Sequence, residues 1–86
     1  MNRMSIACIL ERMNCLERIK NKYDDRSTEL YQRGELERSA KLDNKVDLYE
    51  HEIQGMSFTL RLLGLDVWKT KENQWVIPED DIIRAT

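Results

Sequence analysis

The residues with the clearest capacity for chemistry are two aspartates and the single histidine of the chain. Asp43, Asp47 and His51 follow one another at spacings of four, which places them on one face of a helix. Carboxylates and imidazoles at such spacings bind divalent ions in helical bundles, but bundle sites take their ligands from inward positions. Here Tyr49 and Ile53 hold the inward positions. We therefore interpret this face as solvated and predict no metal site.

No other arrangement of residues indicates catalysis. The sequence has no glycine-rich phosphate loop, no nucleophile motif and no carboxylate pair at core positions. We predict that the protein is not an enzyme, that it has no catalytic residues and that it binds no cofactor.

The two cysteines, Cys8 and Cys15, lie seven residues apart on a predicted helix, so their Cα atoms would be roughly 10 Å apart. A disulfide needs about 7 Å or less, so the two cannot pair within one helix. We interpret them as small packed side chains, and the alternative is a contact across a symmetric dimer. With no further cysteine and one histidine, we predict no zinc site.

Basic residues are concentrated near the N-terminus. Residues 1–22 contain five basic and two acidic residues, and Trp68 and Trp75 lie near Lys69 and Lys71, where the rings could stack on bases. The middle of the chain is acidic, however, and no DNA-reading motif is present. The simpler interpretation is that the tryptophans are core residues. Nucleic-acid binding is therefore the second interpretation, and it predicts salt-sensitive binding in a gel shift.

The elements that position these residues are two amphipathic helices. Apolar residues recur at alternating spacings of four and three, which is typical of a helix that packs against another helix. The repeat comprises Leu42, Val46, Tyr49, Ile53, Met56, Leu60, Leu63 and Val67. A second repeat comprises Ile6, Ile9, Met13, Leu16, Lys20, Tyr23, Ser27 and Leu30. Gly34 lies between the two repeats and predicts a turn, because glycine favours the left-handed backbone that ends a helix.

An antiparallel pairing of the repeats agrees with this turn. Facing residues then have numbers that add up to 69, as for Leu16 and Ile53, and half of this sum falls between Gly34 and Glu35. The two helices would form a hairpin. The alternative is that the first helix breaks at the polar run 24–27, which could make a turn.

The two ends of this hairpin differ in composition. The apolar pairs lie near the termini, at the end that we call the base, and the other end, at the turn, is the tip. Lys20, Ser27 and Ser39 interrupt the seam towards the tip, so we predict a tight base and a looser tip. Each helix would be roughly 45 Å long, too long for a compact domain of this size, so the base needs a cover.

The C-terminal segment is the predicted cover. Aromatic and β-branched residues on either side of a polar stretch predict a β-hairpin over 66–77. Pro78, followed by acidic residues, predicts a short helix over 78–84. Other apolar residues lie off the seam or in this tail, and we predict that they form an interaction surface: Cys8, Cys15, Phe58, Leu62, Leu65, Trp68, Trp75, Ile82 and Ile83.

Composition restricts the class of partner. The chain has 14 basic and 16 acidic residues, so its net charge of −2 gives no general attraction to nucleic acid or to an anionic membrane. No apolar run approaches the ~20 residues that span a bilayer. Charged residues from Glu11 onwards interrupt the N-terminal segment, unlike in a signal peptide. We predict a cytoplasmic protein with no membrane contact.

Together these observations predict a mainly α fold in a single domain over 1–86. The order is a helix over 3–33, a turn near 34, a helix over 36–64, the β-hairpin and the terminal helix. The two long helices form an antiparallel, coiled-coil-like hairpin.

A charged helical hairpin with the segment 49–56 (YEHEIQGM), leading to Leu62-Leu63-Gly64 and a short β tail, resembles the small accessory proteins of phages and mobile elements in Gram-positive bacteria. The resemblance implies a protein that acts by binding. Such proteins include inhibitors of host defence systems (anti-CRISPR proteins among them), regulators and assembly factors.

We therefore predict protein–protein contact as the function, with a homodimer and a protein partner. The homodimer would be a four-helix or end-to-end arrangement. An inhibitor of a host machine would co-purify with one large partner. A purely structural protein, the remaining alternative, would assemble with itself and bind no other partner.

Overall fold

Two long helices and a small β-hairpin make up the computed structural model, which describes residues 3–79. Helix α1 spans Arg3–Gln32 and helix α2 spans Leu36–Leu62. Strands β1 (Trp68–Lys69) and β2 (Trp75–Val76) follow and pair antiparallel. The predicted fold, an antiparallel helical hairpin with a C-terminal β-hairpin, is confirmed. Most of the helix predicted over 78–84 lies outside the described residues.

Helix α1 continues through the polar run at which the alternative placed a break. Asp24, Asp25 and Arg26 are exposed, and side chains of this stretch bond along the helix. Arg26 pairs with Glu29 at 2.8 Å, and Thr28 donates to the backbone carbonyl of Asp24 at 3.1 Å. A polar run on the solvent side of a helix does not interrupt its backbone hydrogen bonds, so the helix remains intact.

Both helices end in the same backbone motif. Gly34 and Gly64 have left-handed φ angles of 82° and 84°. In each case the amide of the next residue donates to the carbonyl five residues earlier, at 2.9 Å after Gly34 and 3.1 Å after Gly64. This pattern is a Schellman motif. At the second motif the next residue, Leu65, is buried, and so is Leu60, whose carbonyl it contacts. At the first motif the next residue is Glu35.

The buried core lies at the base of the hairpin. The helices contribute one set of side chains and the tail another: Ile6, Met13, Leu16, Ile53 and Leu60 from the helices, and Leu65, Val67, Trp75 and Ile77 from the tail. Leu16 and Ile53, predicted to face each other, are 1% and 0% exposed in this cluster. The tail therefore covers the base, as its composition predicted.

One position of the predicted seam differs. The repeat placed Leu63 opposite Ile6, but Leu63 is 51% exposed. Helix α2 ends at Leu62 and the chain turns at Gly64, so the next repeat position no longer points to the seam. Val67, which continues the repeat in sequence, is buried as part of the tail.

Small polar side chains bring the helices together at the tip. Ser27 and Ser39 are each 3% exposed. Ser39 Oγ donates to the carbonyl of Ser27 at 3.1 Å, and Ser27 Oγ donates to Asp43 at 2.5 Å. Side chains this small let two helices approach closely. The serines are thus contacts rather than simple interruptions of the seam, and the looser tip stays a prediction.

The molecule is elongated, with principal extents of 51 × 20 × 16 Å and a radius of gyration of 15.6 Å. A compact domain of this length would have a radius of gyration of about 12 Å. An elongated shape leaves most of each helix surface in contact with solvent. Within the part of the chain that the structure describes, no helix is long and apolar enough to cross a membrane.

Candidate interaction surface

The β-hairpin has one face against the helices and one face towards solvent. Trp68 lies opposite Val76, and Lys69 lies opposite Trp75. Residues directly opposite in an antiparallel pair point to the same face. Trp75 is buried at 6% exposure, so the Lys69–Trp75 pair forms the inner face. Trp68, at 44% exposure, lies on the outer face with Val76.

Asn14 of α1 attaches the hairpin to the helix. The backbone amide of Trp75 donates to Asn14 Oδ1 at 2.6 Å, and Asn14 Nδ2 donates to the carbonyl of Trp75 at 3.1 Å. The side-chain amide thus satisfies both backbone groups of one residue, as a neighbouring strand would. This contact covers an edge of β2 that would otherwise be open.

A buried carboxylate ties three elements together beneath the hairpin. Glu17 is 1% exposed. Lys20 Nζ lies 2.9 Å from Glu17 Oε2, and Lys69 Nζ lies 2.7 Å from Glu17 Oε1. The second cation also lies 5.8 Å from the centroid of the Trp75 ring. Lys20 in turn bonds Glu50 of α2, so α1, α2 and β1 share one charged network. A buried carboxylate needs such partners, because an unpaired buried charge is very costly.

The network shifts the titration of its outer members. Burial works against the charge of Lys20, but hydrogen bonds and attraction from Glu50 and Glu17 outweigh it, so the pKa of Lys20 is raised. The hydrogen bond from Lys20, and then that from Gln54, lowers the pKa of Glu50. Both shifts stabilise the charged forms around neutral pH. Lys20 and Glu50 therefore keep the mutual attraction that links α1 to α2 in this network.

The outward surface of α2 carries a second repeat, at spacings of three and four. We name it the outer stripe, and it comprises Leu48, His51, Gly55, Phe58 and Leu62. Leu48, Phe58 and Leu62 are 69%, 61% and 71% exposed. Leu62 lies nine residues after the buried Ile53, which is about two and a half helical turns, so their side chains leave α2 in opposite directions. Helix α2 thus has apolar rows on two faces, of which one is buried.

Gly55 makes a gap in the middle of the outer stripe. A Cβ atom at this position would meet nothing within 4 Å. Gly55 also borders a surface depression of about 410 Å³, whose lining residues are Ile9, Glu52, Gly55, Met56 and Thr59. Glycine inside a helix costs about 1 kcal/mol relative to alanine. Packing within the single chain therefore does not account for a glycine here.

The structure divides the predicted interaction residues into two groups. Cys8, Phe58, Leu62 and Trp68 are exposed, and Cys15 is half-buried. Leu65 and Trp75, by contrast, belong to the buried core, at 5% and 6% exposure. Ile82 and Ile83 lie outside the described residues. Phe58 and Leu62 are brought together on the outer stripe, one helical turn apart.

Sequence reasoning missed Leu48, His51 and Gly55 as members of this surface. Phe58 and Leu62 are among the predicted interaction residues, but their spacing also continues back along α2 to Leu48. The signal was present, because the alternating spacing runs without interruption from Leu48 to Leu62.

The two other sites considered from sequence are a metal site at Asp43, Asp47 and His51 and a nucleic-acid surface around the two tryptophans. Asp43 accepts the hydrogen bond of Ser27, and residues 3–79 contain no cluster of three or more His, Cys, Asp or Glu side chains that could hold a metal ion. Trp75 is buried, and Lys69 is bonded to Glu17. The ring of Trp75 is therefore not available to stack on a base.

No protein-family model, curated protein or solved structure is significantly similar to this chain.

Proposed function

We propose that this protein acts by binding other proteins, without catalysis, and that the outer stripe and Trp68 are its contact surfaces. The observation that carries the proposal is the exposure of Leu48, Phe58 and Leu62, each above 60%, in one row on α2. Single exposed apolar residues are common on proteins, but rows of them mark interaction sites. A helix presenting anchors at such spacings fits an apolar groove or another helix.

The scaffold suits this role because it is fixed before binding. Helix α2 is held by the seam with α1, by the tail and by the network around Glu17, so its outward surface has a defined shape. Binding through a preformed surface avoids the free-energy cost of ordering a segment. Trp68 adds a second large side chain, on the outer face of the β-hairpin, and tryptophan is enriched at binding hot spots.

The resemblance to phage and mobile-element accessory proteins gives the finer proposal. On that basis the protein is an accessory factor that inhibits a larger host machine by occupying one of its surfaces. The homodimer is also part of the proposal. A role in assembly alone would need only self-association.

A capture experiment with matched variants tests this function. The tagged chain, its Phe58→Glu variant and its Leu36→Glu variant are used to capture proteins from a lysate of the source organism. Leu36 is a suitable control because it is 58% exposed on the same helix but lies off the outer stripe. We expect one large partner with the wild type and Leu36→Glu, and its loss with Phe58→Glu. Equal recovery with all three, at equal helicity by circular dichroism, would contradict the proposal.

A further inference from the structure

We infer that the outer stripe of α2 binds the outer stripe of a second copy of this chain, with the two α2 helices antiparallel. This inference rests on the proposed function: the outer stripe joins the two copies, and Trp68 on each copy is left for the larger partner, so the capture expected above requires the dimer. Its occupant is a copy because the part of the stripe from His51 to Leu62 fits itself in spacing, in side-chain size and in charge.

The spacing is that of a helix–helix contact. Alternating steps of three and four residues keep one row of side chains on one side of a helix over several turns. The same chain already shows how such rows are used, because the inner row of α2 packs on α1 with the same spacing. The outer stripe, from Leu48 to Leu62, spans about four turns of α2.

Side-chain size matches when the two-fold axis passes between Met56 and Ser57. Phe58 of each copy then faces Gly55 of the other, and Leu62 faces His51, because the spacing of three and four is the same in both directions. The phenylalanine ring lies over the bare backbone at Gly55, next to the depression described above. This contact accounts for a glycine that the single chain does not need.

Charge favours the antiparallel arrangement over the parallel one. In a parallel pair, the rows that flank the stripe would bring Asp47 of one copy towards Glu52 of the other, and like charges repel. In the antiparallel register proposed here, Glu52 lies opposite Thr59 and Arg61 lies opposite Gln54. No like-charged residues of the flanking rows then face each other.

Light scattering over a range of concentrations tests the surface. We expect a dimer for the wild type and for the control Leu36→Glu, and a monomer for Phe58→Glu. Gly55→Leu is the sharpest variant, because leucine is a better helix former than glycine and its Cβ meets nothing within 4 Å. We expect Gly55→Leu to keep or raise the urea midpoint and to lose the dimer. A dimer that persists in both Phe58→Glu and Gly55→Leu would overturn the inference.

Cross-linking tests the orientation. In a background of Cys8→Ser and Cys15→Ser, a His51→Cys chain is mixed with a Leu62→Cys chain and treated with a short bis-maleimide. We expect a cross-linked dimer from the mixture and none from either chain alone, since identical positions lie far apart in the antiparallel pair. A cross-link from the His51→Cys chain alone would indicate the parallel arrangement and overturn the proposal.

The outcomes separate this inference from the proposed function. A wild type that is monomeric at every concentration overturns self-association. If Phe58→Glu still abolishes capture of a large partner in that case, the binding function stands with a different occupant on the stripe. If the wild type is monomeric and Phe58→Glu changes no capture, both proposals fail.

Discussion

The base and the tip of the hairpin begin from the same backbone motif and differ in what surrounds it. Gly64 at the base and Gly34 at the tip each end a helix in the left-handed conformation, at φ 84° and 82°. At the base the following residue is Leu65, which joins the core. At the tip it is Glu35, a polar residue. The turn at the base therefore leads the chain into the core, whereas the turn at the tip only reverses the direction of the chain.

The packing of the two ends differs in the same way. The base buries nine apolar side chains in one cluster, whereas at the tip the hydroxyl group of Ser39 donates to the backbone carbonyl of Ser27 on the other helix, at 3.1 Å. Apolar burial contributes most of the stability of a domain. Small polar contacts contribute less, but they fix how closely two helices approach. We therefore expect stability to be concentrated at the base and the tip to specify the spacing of the helices.

The largest expected effect is the difference between two buried leucines. Leu60 is 0% exposed within the core cluster, and Leu30 is 2% exposed near the tip, outside that cluster. Replacing a buried leucine by alanine costs about 2–5 kcal/mol, and the cost rises with the cavity that is left. We expect Leu60→Ala in the upper half of this range and Leu30→Ala near its lower end, measured by urea denaturation.

Leu36→Ala is the matched control for both leucines, because Leu36 is 58% exposed and has little packing to lose. A cost for Leu30→Ala equal to that of Leu60→Ala would show that stability is spread evenly along the hairpin. The contrast between base and tip would then be one of composition only.

The second effect tests whether the tip needs small residues. Ser27→Leu places a large side chain where the two helices meet at Ser39, and overpacking of this kind costs about 1–3 kcal/mol. Ser27→Ala keeps the small size and removes only the hydroxyl contacts, at a cost of about 1 kcal/mol. We expect the leucine variant to be the less stable of the two in urea denaturation. The reverse order would mean that hydrogen bonding, rather than close approach, matters at the tip.

The apolar contact between the two helices could be predicted from sequence, because each helix has its own apolar repeat and a glycine marks the turn between them. The spacing of the two repeats placed Leu16 near Ile53, and Gly34 marked the turn. The contact between Asn14 and Trp75 could not be predicted in this way, since these residues are 61 apart and no periodicity links them. The ion pair of Glu17 with Lys69 could not be predicted either, because Lys69 reaches Glu17 only once the tail has docked on the helices.

The predicted interaction residues differ in exposure, for a related reason. Phe58 and Leu62 follow from helical spacing, and both are exposed. Leu65 and Trp75 are equally apolar in sequence, but they are buried because the chain turns at Gly64 and the β-hairpin folds back on α1. Whether an apolar residue is core or surface depends on that docking, which the residue types alone do not specify.

The third effect tests how the tail is held at the base. Asn14→Ala removes both side-chain bonds to the backbone of Trp75, and loss of such bonds in a part-buried site costs about 1–2 kcal/mol. We expect a lower urea midpoint and a red-shifted tryptophan emission as the β-hairpin separates from α1. Asn44→Ala, at an exposed position of α2, is the control. An emission spectrum identical to the wild type would show that the tail is held without the Asn14 contact.

The smallest effect concerns the ion pair of Lys20 and Glu50, which joins the two helices between base and tip. The hydrogen bonds from Lys20 and Gln54 lower the pKa of Glu50 from its ordinary 4.5, so its contribution to stability is present above pH 4.5 and is lost as the pH falls through the lowered value. The pKa of Lys20 is raised from 10.5, so its contribution is present below pH 10.5 and is lost as the pH rises through the raised value.

We therefore expect Glu50→Gln to flatten the acid side of the curve of unfolding free energy against pH. Near pH 7 the loss should stay below about 1 kcal/mol, because the Glu50 side chain is 36% exposed and solvent screens the pair. Glu37→Gln is the control, since Glu37 is 89% exposed and lies 4.0 Å from Lys41. If both variants lose stability with acid as steeply as the wild type, the Lys20–Glu50 pair adds nothing measurable to the contact between α1 and α2.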